Sequence, residues 1–308
     1  MATKKFRGVF AFNATPMKND GDDIDEARLL ELAEYQIDHG VHGIVVFGST
    51  GANGSFTSEE RLSTAKAVVR HVDGRVPVLC GVGSITTAET VSLAKAVADA
   101  GVDGVLVVPI TYWPLTDDEV YEHYEQVAGA VEIPVCLYNN PWTTGVDMKP
   151  PLVARLAEIG NIRYIKESTS DLTRITAIRQ LTNDEMTVFC GWESLTLQSL
   201  MAGAEGWFSG MTNVCPRECV ELFDLAVEKK DVVGARELFD RIFPLFDFMC
   251  AKSHVRVAHA ALPLLGIPAG PPRRPLRELG AADKIELERL MRACGVLDGK
   301  AGAAQAAE

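Results

Sequence analysis

The sequence lacks any Cys-x-x-Cys pair, and its seven cysteines, at 80, 136, 190, 215, 219, 250 and 294, are odd in number. Buried, reduced thiols in a cytoplasmic protein are expected from that pattern. No uninterrupted apolar run reaches membrane-spanning length. The opening "MATKKFRGVF" has no long apolar segment behind its basic residues, so no signal peptide is predicted. Positive charge is also scarce: 30 Lys and Arg stand against 42 Asp and Glu, a formal net charge of -12. That balance gives no footprint for nucleic acid or an anionic membrane surface. No Gly-x-Gly-x-x-Gly fingerprint follows the first strand-like run, which weighs against a dinucleotide-binding sheet. The six histidines (39, 42, 71, 123, 254 and 259) are spread over helical stretches and their ends. His254 and His259 miss the i, i+4 spacing of a zinc-binding pair. Solvated or capping histidines and no metal site are therefore expected.

What is present is alternation. Short runs rich in Val, Ile and aromatic residues recur as "GVFAFN" (8–13), "GIVVF" (43–47), "VPVLC" (76–80), "GVLVVP" (104–109), "IPVCLY" (133–138), "IRYIK" (162–166), "MTVFC" (186–190) and "GWFSG" (206–210). Each suits a strand buried on both faces. Amphipathic segments lie between them. The stretch 25–40 carries Leu29, Leu32, Ala33 and Ile37 at helical spacing and stops at Gly40. The stretch 57–72 opens with Thr57 and has Glu60 three residues later, a capping signature; 86–101 has the same form. Eight strand–helix units without a linker predict an α/β fold, a closed (β/α)8 TIM barrel, with an open doubly wound sheet as the alternative. After "GWFSG" the strands stop and helical patterns follow, with a Pro- and Gly-rich turn "IPAGPPRRP" (267–275) before a last helix near 281–294. The predicted division is a barrel over 1–225, a C-terminal helical extension over 226–298 and a flexible tail over 299–308.

Barrels of this kind carry their chemistry on the loops after the strands. Lys166 ends the sixth run, where an apolar residue is the norm, and is followed by polar Glu167, Ser168 and Thr169. A strand-end lysine can simply snorkel to water. Held in a partly desolvated pocket, where burial disfavours an ammonium, it is instead a nucleophile for a carbonyl carbon. The second run ends in "FGSTG", whose glycines let backbone amides approach an anion around Ser49 and Thr50. The fifth ends in "LYNNP", placing Tyr138 at the same mouth. Lysine, tyrosine and a Ser-Thr pair on three strand ends suit Schiff-base chemistry on a 2-oxo acid, with tyrosine moving protons and the glycine turn holding the carboxylate. Glu167, next to Lys166, points to the opposite side of the strand and reads as structural.

"FGSTG", "YNNP" and "IKEST", in this order, resemble the dihydrodipicolinate synthase / N-acetylneuraminate lyase family of class I aldolases. The resemblance runs from about Gly8 to about residue 295. It implies a homotetramer, no metal or organic cofactor, and a covalent imine on Lys166. It further implies Tyr138 as proton relay and Ser49, Thr50 and Gly51 as contacts to the substrate carboxylate and hydroxyls. Gly191 and Phe208 match positions lining the family's pocket. Three positions depart from the pattern. Thr143 replaces the synthase's arginine and cannot form a bidentate carboxylate pair, which turns the expectation away from lysine biosynthesis. Thr111, in "VPITYWP", stands where a tyrosine is lent to the neighbouring subunit, with Tyr112 one residue later as its candidate substitute. Ala52 replaces the usual glutamate.

The expected function is thus a Schiff-base lyase or aldolase for pyruvate or a related small 2-oxo acid. Two alternatives are open. One is a 1-pyrroline-4-hydroxy-2-carboxylate deaminase or a 2-keto-3-deoxy sugar acid dehydratase. The other, prompted by Ala52, Thr111 and Thr143, is a barrel that binds a 2-oxo acid without turning it over.

Overall fold

The computed structural model describes residues 6–297; the expected tail over 299–308 lies outside them. All eight apolar runs form strands. β1 (Gly8–Phe12) is followed by a short hairpin, β2 (Met17–Lys18) with β3 (Asp23–Ile24). Then come β4 (Gly43–Val46), β5 (Val78–Gly81), β6 (Gly104–Val107), β7 (Val135–Asn139), β8 (Ile162–Glu167), β9 (Thr187–Cys190) and β10 (Gly206–Ser209). The eight long strands pair in parallel, and β1 closes the ring against both β10 and β4. The open-sheet alternative is thereby excluded.

Between the strands lie α1 (Glu26–Asp38), α2 (Ser58–Val72), α3 (Thr87–Asp99), α4 (Asp117–Gly129), a single turn α5 (Pro141–Thr144), α6 (Pro150–Ala157), α7 (Thr173–Leu181) and α8 (Thr196–Met201). The cap read at Thr57 forms as a reciprocal box: Glu60 N–H donates to the Thr57 hydroxyl at 3.2 Å, and Thr57 N–H donates to the Glu60 carboxylate at 2.8 Å. Thr116 and Glu119 repeat it at α4.

Alternation along each strand divides the core in two. Even-numbered residues of β1 and β8, such as Phe10, Phe12 and Tyr164, join Val45, Leu79, Leu106, Tyr138, Phe189 and Phe208 inside the barrel. Val9, Ala11, Ile44, Val46 and Ile165 face the helices. The interior is aromatic: Phe189 stacks on Phe208 at 4.3 Å, and Phe10 meets both edge-on. Each buried phenyl group contributes roughly 1.5–3 kcal/mol, so this plug fills the barrel and leaves only its upper end for chemistry.

Beyond β10 the chain is helical: α9 (Pro216–Phe223), α10 (Val232–Lys252), α11 (His254–Ala261) and α12 (Ala281–Ala293). Trp207, on the outer face of β10, packs against Phe246 of α10 at 5.5 Å, which seats these helices on the barrel. In "PPRRP", Arg273 ion-pairs with Glu60 at 2.8 Å and donates to the carbonyls of Ser55 and Asp22. That arginine staples the turn to neighbouring loops. All seven cysteines are free, six buried and Cys250 half-buried.

Candidate active site

Lys166 follows Tyr164 by two residues, so its side chain enters the barrel, where it lies 4 % exposed. It stands in register with Tyr138 on one side and Phe189 on the other. Its Nζ lies 3.4 Å from the centre of the Phe12 ring and 4.6 Å from that of Tyr138. Among the described residues it makes no ion pair. Aromatic faces attract an ammonium by roughly 0.5–2 kcal/mol, far less than a buried carboxylate would. The amine is therefore held in place without a fixed partner that would have to be displaced. Gly191, after β9, makes room for it: a Cβ there would fall 2.9 Å from Lys166 Cε and 1.9 Å from Ser168 Oγ.

Tyr138 hydrogen-bonds through its hydroxyl to Ser49 Oγ at 3.0 Å and accepts from Asn140 Nδ2 at 3.1 Å. With one lone pair taken by the amide, the phenolic proton can be exchanged with Ser49. Ser49 is brought here by a turn that begins with Phe47 at φ +56, in the left-handed region. Gly81 on β5 allows it, since a Cβ there would sit 1.9 Å from the Phe47 carbonyl oxygen. Thr15 Oγ1 donates to the Gly51 carbonyl at 2.9 Å and pins the far end of the turn. Thr50 is buried beside it. The lysine, tyrosine and Ser-Thr pair expected from three separate strand ends thus converge.

The other expected residues are spread more widely. Tyr112 is 82 % exposed and stacks edge-on against Trp113 on the protein surface. Thr111 Oγ1 accepts from Trp113 N–H at 3.1 Å, within its own turn. Thr143 lies on α5 and donates to the Asn140 carbonyl at 3.3 Å. Phe208 is fully buried under Phe12, at 5.8 Å, and so floors the site through that ring. Ala52 takes a left-handed φ of +53 at the end of the glycine turn. Glu167 faces away from Lys166, as expected, accepting from Asn139 Nδ2 at 3.0 Å and Thr169 N–H at 2.8 Å.

The sequence reading missed four neighbours. Phe12 passed for ordinary core. Asn140 stood inside the "YNNP" motif with no role. Glu193 lies in the loop after β9, where the barrel rule directs attention. It is 3 % exposed and accepts from Gly210 N–H at 2.6 Å and Ser209 Oγ at 3.3 Å. Burial pushes its carboxyl up to about 7, against the opposing pull of the Lys166 charge and these donors. His254 corrects the expectation of solvated or capping histidines. Its Nε2 lies 4.0 Å from Glu193 Oε1. Loss of hydration, reinforced by the Lys166 charge, pushes it down to about 4. Its side chain is still 36 % exposed. No sequence signal marks it, because only the docking of α11 brings it here.

The family model for the dihydrodipicolinate synthetase family matches residues 5–294. The chain belongs to that family. It is 37% identical over 287 residues to 4-hydroxy-tetrahydrodipicolinate synthase of Trichlorobacter lovleyi, covering 93% of this chain and 98% of the relative. It is 36% identical over 292 residues to that of Syntrophus aciditrophicus, covering 95% and 99%. The crystal structure of chloride-inhibited dihydrodipicolinate synthase from Acinetobacter baumannii, complexed with pyruvate, superposes with a TM-score of 0.90 at 32% identity, over 95% of this chain and 100% of that one. Dihydrodipicolinate synthetase family enzymes are class I lyases that work through a lysine Schiff base with no metal or organic cofactor. Among the described residues no cluster of three or more His, Cys, Asp or Glu side chains could hold a metal, and no helix is long and apolar enough to cross a membrane.

Proposed function

We propose that this protein is a Schiff-base lyase for pyruvate or a closely related 2-oxo acid and that Lys166 forms the imine. The observation that carries the reading is the Lys166 amine, buried on the faces of Phe12 and Tyr138 beside the Tyr138–Ser49 hydrogen bond. The deprotonated amine adds to the 2-oxo carbon, and the proton its nitrogen sheds as the C–N bond forms passes through Tyr138 to the carbonyl oxygen, giving a carbinolamine. Loss of that hydroxyl as water, with a second proton passed along Tyr138 and Ser49, leaves the iminium. The "FGSTG" turn, with Thr50, seats the carboxylate. The test is trapping with pyruvate and borohydride. One reduced adduct is expected on the peptide carrying Lys166, and none in a folded Lys166→Ala variant. An equal adduct in that variant rules the reading out.

A second reading rests on Thr143, which is neutral and bonded to its own turn. Without a cation there, elimination of water or ammonia from a substrate such as 1-pyrroline-4-hydroxy-2-carboxylate or a 2-keto-3-deoxy sugar acid competes with aldol cleavage. A coupled lactate dehydrogenase assay separates them, because only the aldolase releases pyruvate. A binding-only barrel would shift its melting temperature with 2-oxo acids and turn none over.

The reading extends to a cytoplasmic homotetramer. Tyr112 and Trp113, in the loop after β6, and Trp142, on α5 after β7, are each exposed and suited to burial against a second copy. Light scattering is expected to give four chain masses. A monomer removes any role for Tyr112 in a neighbouring site.

A further inference from the structure

His254 reaches the site from outside the barrel. It opens α11, and the preceding Ser253 holds φ +94 and ψ +123, backbone angles that L residues rarely adopt. This kink between α10 and α11 turns the imidazole toward the strand ends. A methyl group placed on Gly210 would lie 2.8 Å from Thr50 Oγ1, 3.1 Å from His254 Cδ2 and 3.3 Å from Glu193 Oε1. The three side chains therefore surround one point at the end of β10. Thr50 follows Ser49, whose hydroxyl bonds Tyr138 at 3.0 Å, and the Tyr138 ring lies 4.6 Å from Lys166 Nζ, so this point adjoins the side of the mouth that holds the amine. Glu193 stands behind the imidazole, fixed by Gly210 N–H and Ser209. The exposed face of His254 is left for a ligand.

We propose that His254, positioned by Glu193, is a specificity-determining residue that binds a hydroxyl group on the substrate beyond the 2-oxo carbon. The inference rests on the reading of Lys166 as the imine-forming residue. A neutral imidazole offers one donor and one acceptor, and a hydroxyl both gives and takes a hydrogen bond. A second carboxylate is disfavoured, since it would approach the Glu193 carboxyl behind the imidazole. The substrate class is a hydroxylated 2-oxo acid whose far end carries no charge.

The test compares borohydride trapping of pyruvate, 2-oxopentanoate, 4-hydroxy-2-oxopentanoate and 2-oxoglutarate, counting intact and cleaved adducts together. In the unaltered protein the hydroxy acid is expected to half-saturate trapping at a concentration about tenfold below that for 2-oxopentanoate, because a site built for a hydroxyl rejects the analogue lacking it. 2-Oxoglutarate should be the poorest of the three longer acids. His254→Leu is expected to erase the preference, raising the half-saturating concentration of the hydroxy acid to that of 2-oxopentanoate. His254→Asn, which keeps a donor and an acceptor, restores part of it. Glu193→Gln raises the half-saturating concentration of the hydroxy acid alone. The inference is overturned if the unaltered protein does not prefer the hydroxy acid, or if His254→Leu and His254→Asn weaken all four acids alike. Failure to trap any of them in the unaltered protein overturns the imine reading, and this inference with it.

Discussion

At the scale of single residues, the Tyr138 hydroxyl and the Tyr138 ring have separate duties. The ring helps to hold the Lys166 ammonium, at 4.6 Å, while the hydroxyl connects to Ser49 and Asn140. Tyr138→Phe removes only the second. Proton transfer by a positioned group is worth roughly 10²–10⁴-fold in rate, so imine formation in Tyr138→Phe should slow by about that factor while the final extent of trapping is kept. A time course of borohydride trapping reads both quantities. Ser49→Ala should cost less, since Asn140 still orients the phenol. Lys166, Tyr138 and Ser49 were legible in the sequence because each ends an apolar run at a barrel's functional rim. Phe12 was not, because a phenylalanine that packs core and one that faces an amine look alike in sequence.

At the scale of elements, the strands were legible because a strand covered on both faces must be a continuous apolar run. The turns were not. Nothing in "VVFGSTG" states that Phe47 takes a left-handed φ, a conformation that depends on Gly81 in another strand. The hairpin of β2 and β3 was too short to show any alternation. Gly191 illustrates how a loop sets the chemistry of a neighbouring strand. A side chain there must displace Ser168 Oγ, 1.9 Å from the ideal Cβ position, or push on Lys166 Cε at 2.9 Å. Gly191→Ala is expected to retain the fold, with a cost of about 1–3 kcal/mol for the overpacked contact. Trapping at Lys166 should fall by about tenfold or more, because misplacing a reacting group by about an ångström is costly. Unchanged trapping in a folded Gly191→Ala protein would show that the glycine matters only to packing.

At the scale of the whole molecule, Glu193 and His254 come from opposite ends of the architecture, a loop of the barrel and a helix of the C-terminal extension. Helical periodicity predicted that extension but carried no information about where α11 docks, so their meeting was invisible in the sequence. It has a consequence for stability against pH. Glu193 is raised from 4.5 to about 7. Between those values the folded chain holds a proton that the unfolded chain has lost, so stability falls as pH rises through that window. His254 is lowered from 6.5 to about 4. There the unfolded chain holds the extra proton, so stability rises as pH rises through that window. In the intact protein the two slopes oppose each other over much of the same range. Removing either partner should expose the other. Relative to the unaltered protein, Glu193→Gln is expected to gain stability as pH rises, by up to about 3 kcal/mol for a fully buried group at roughly 1.4 kcal/mol per pKa unit. His254→Leu should lose stability over the lower window, by a smaller amount, because water reaches the ring and screens its charge. Urea midpoints of the three proteins across these windows measure the differences. Parallel curves would mean that neither group has a displaced titration in the folded protein.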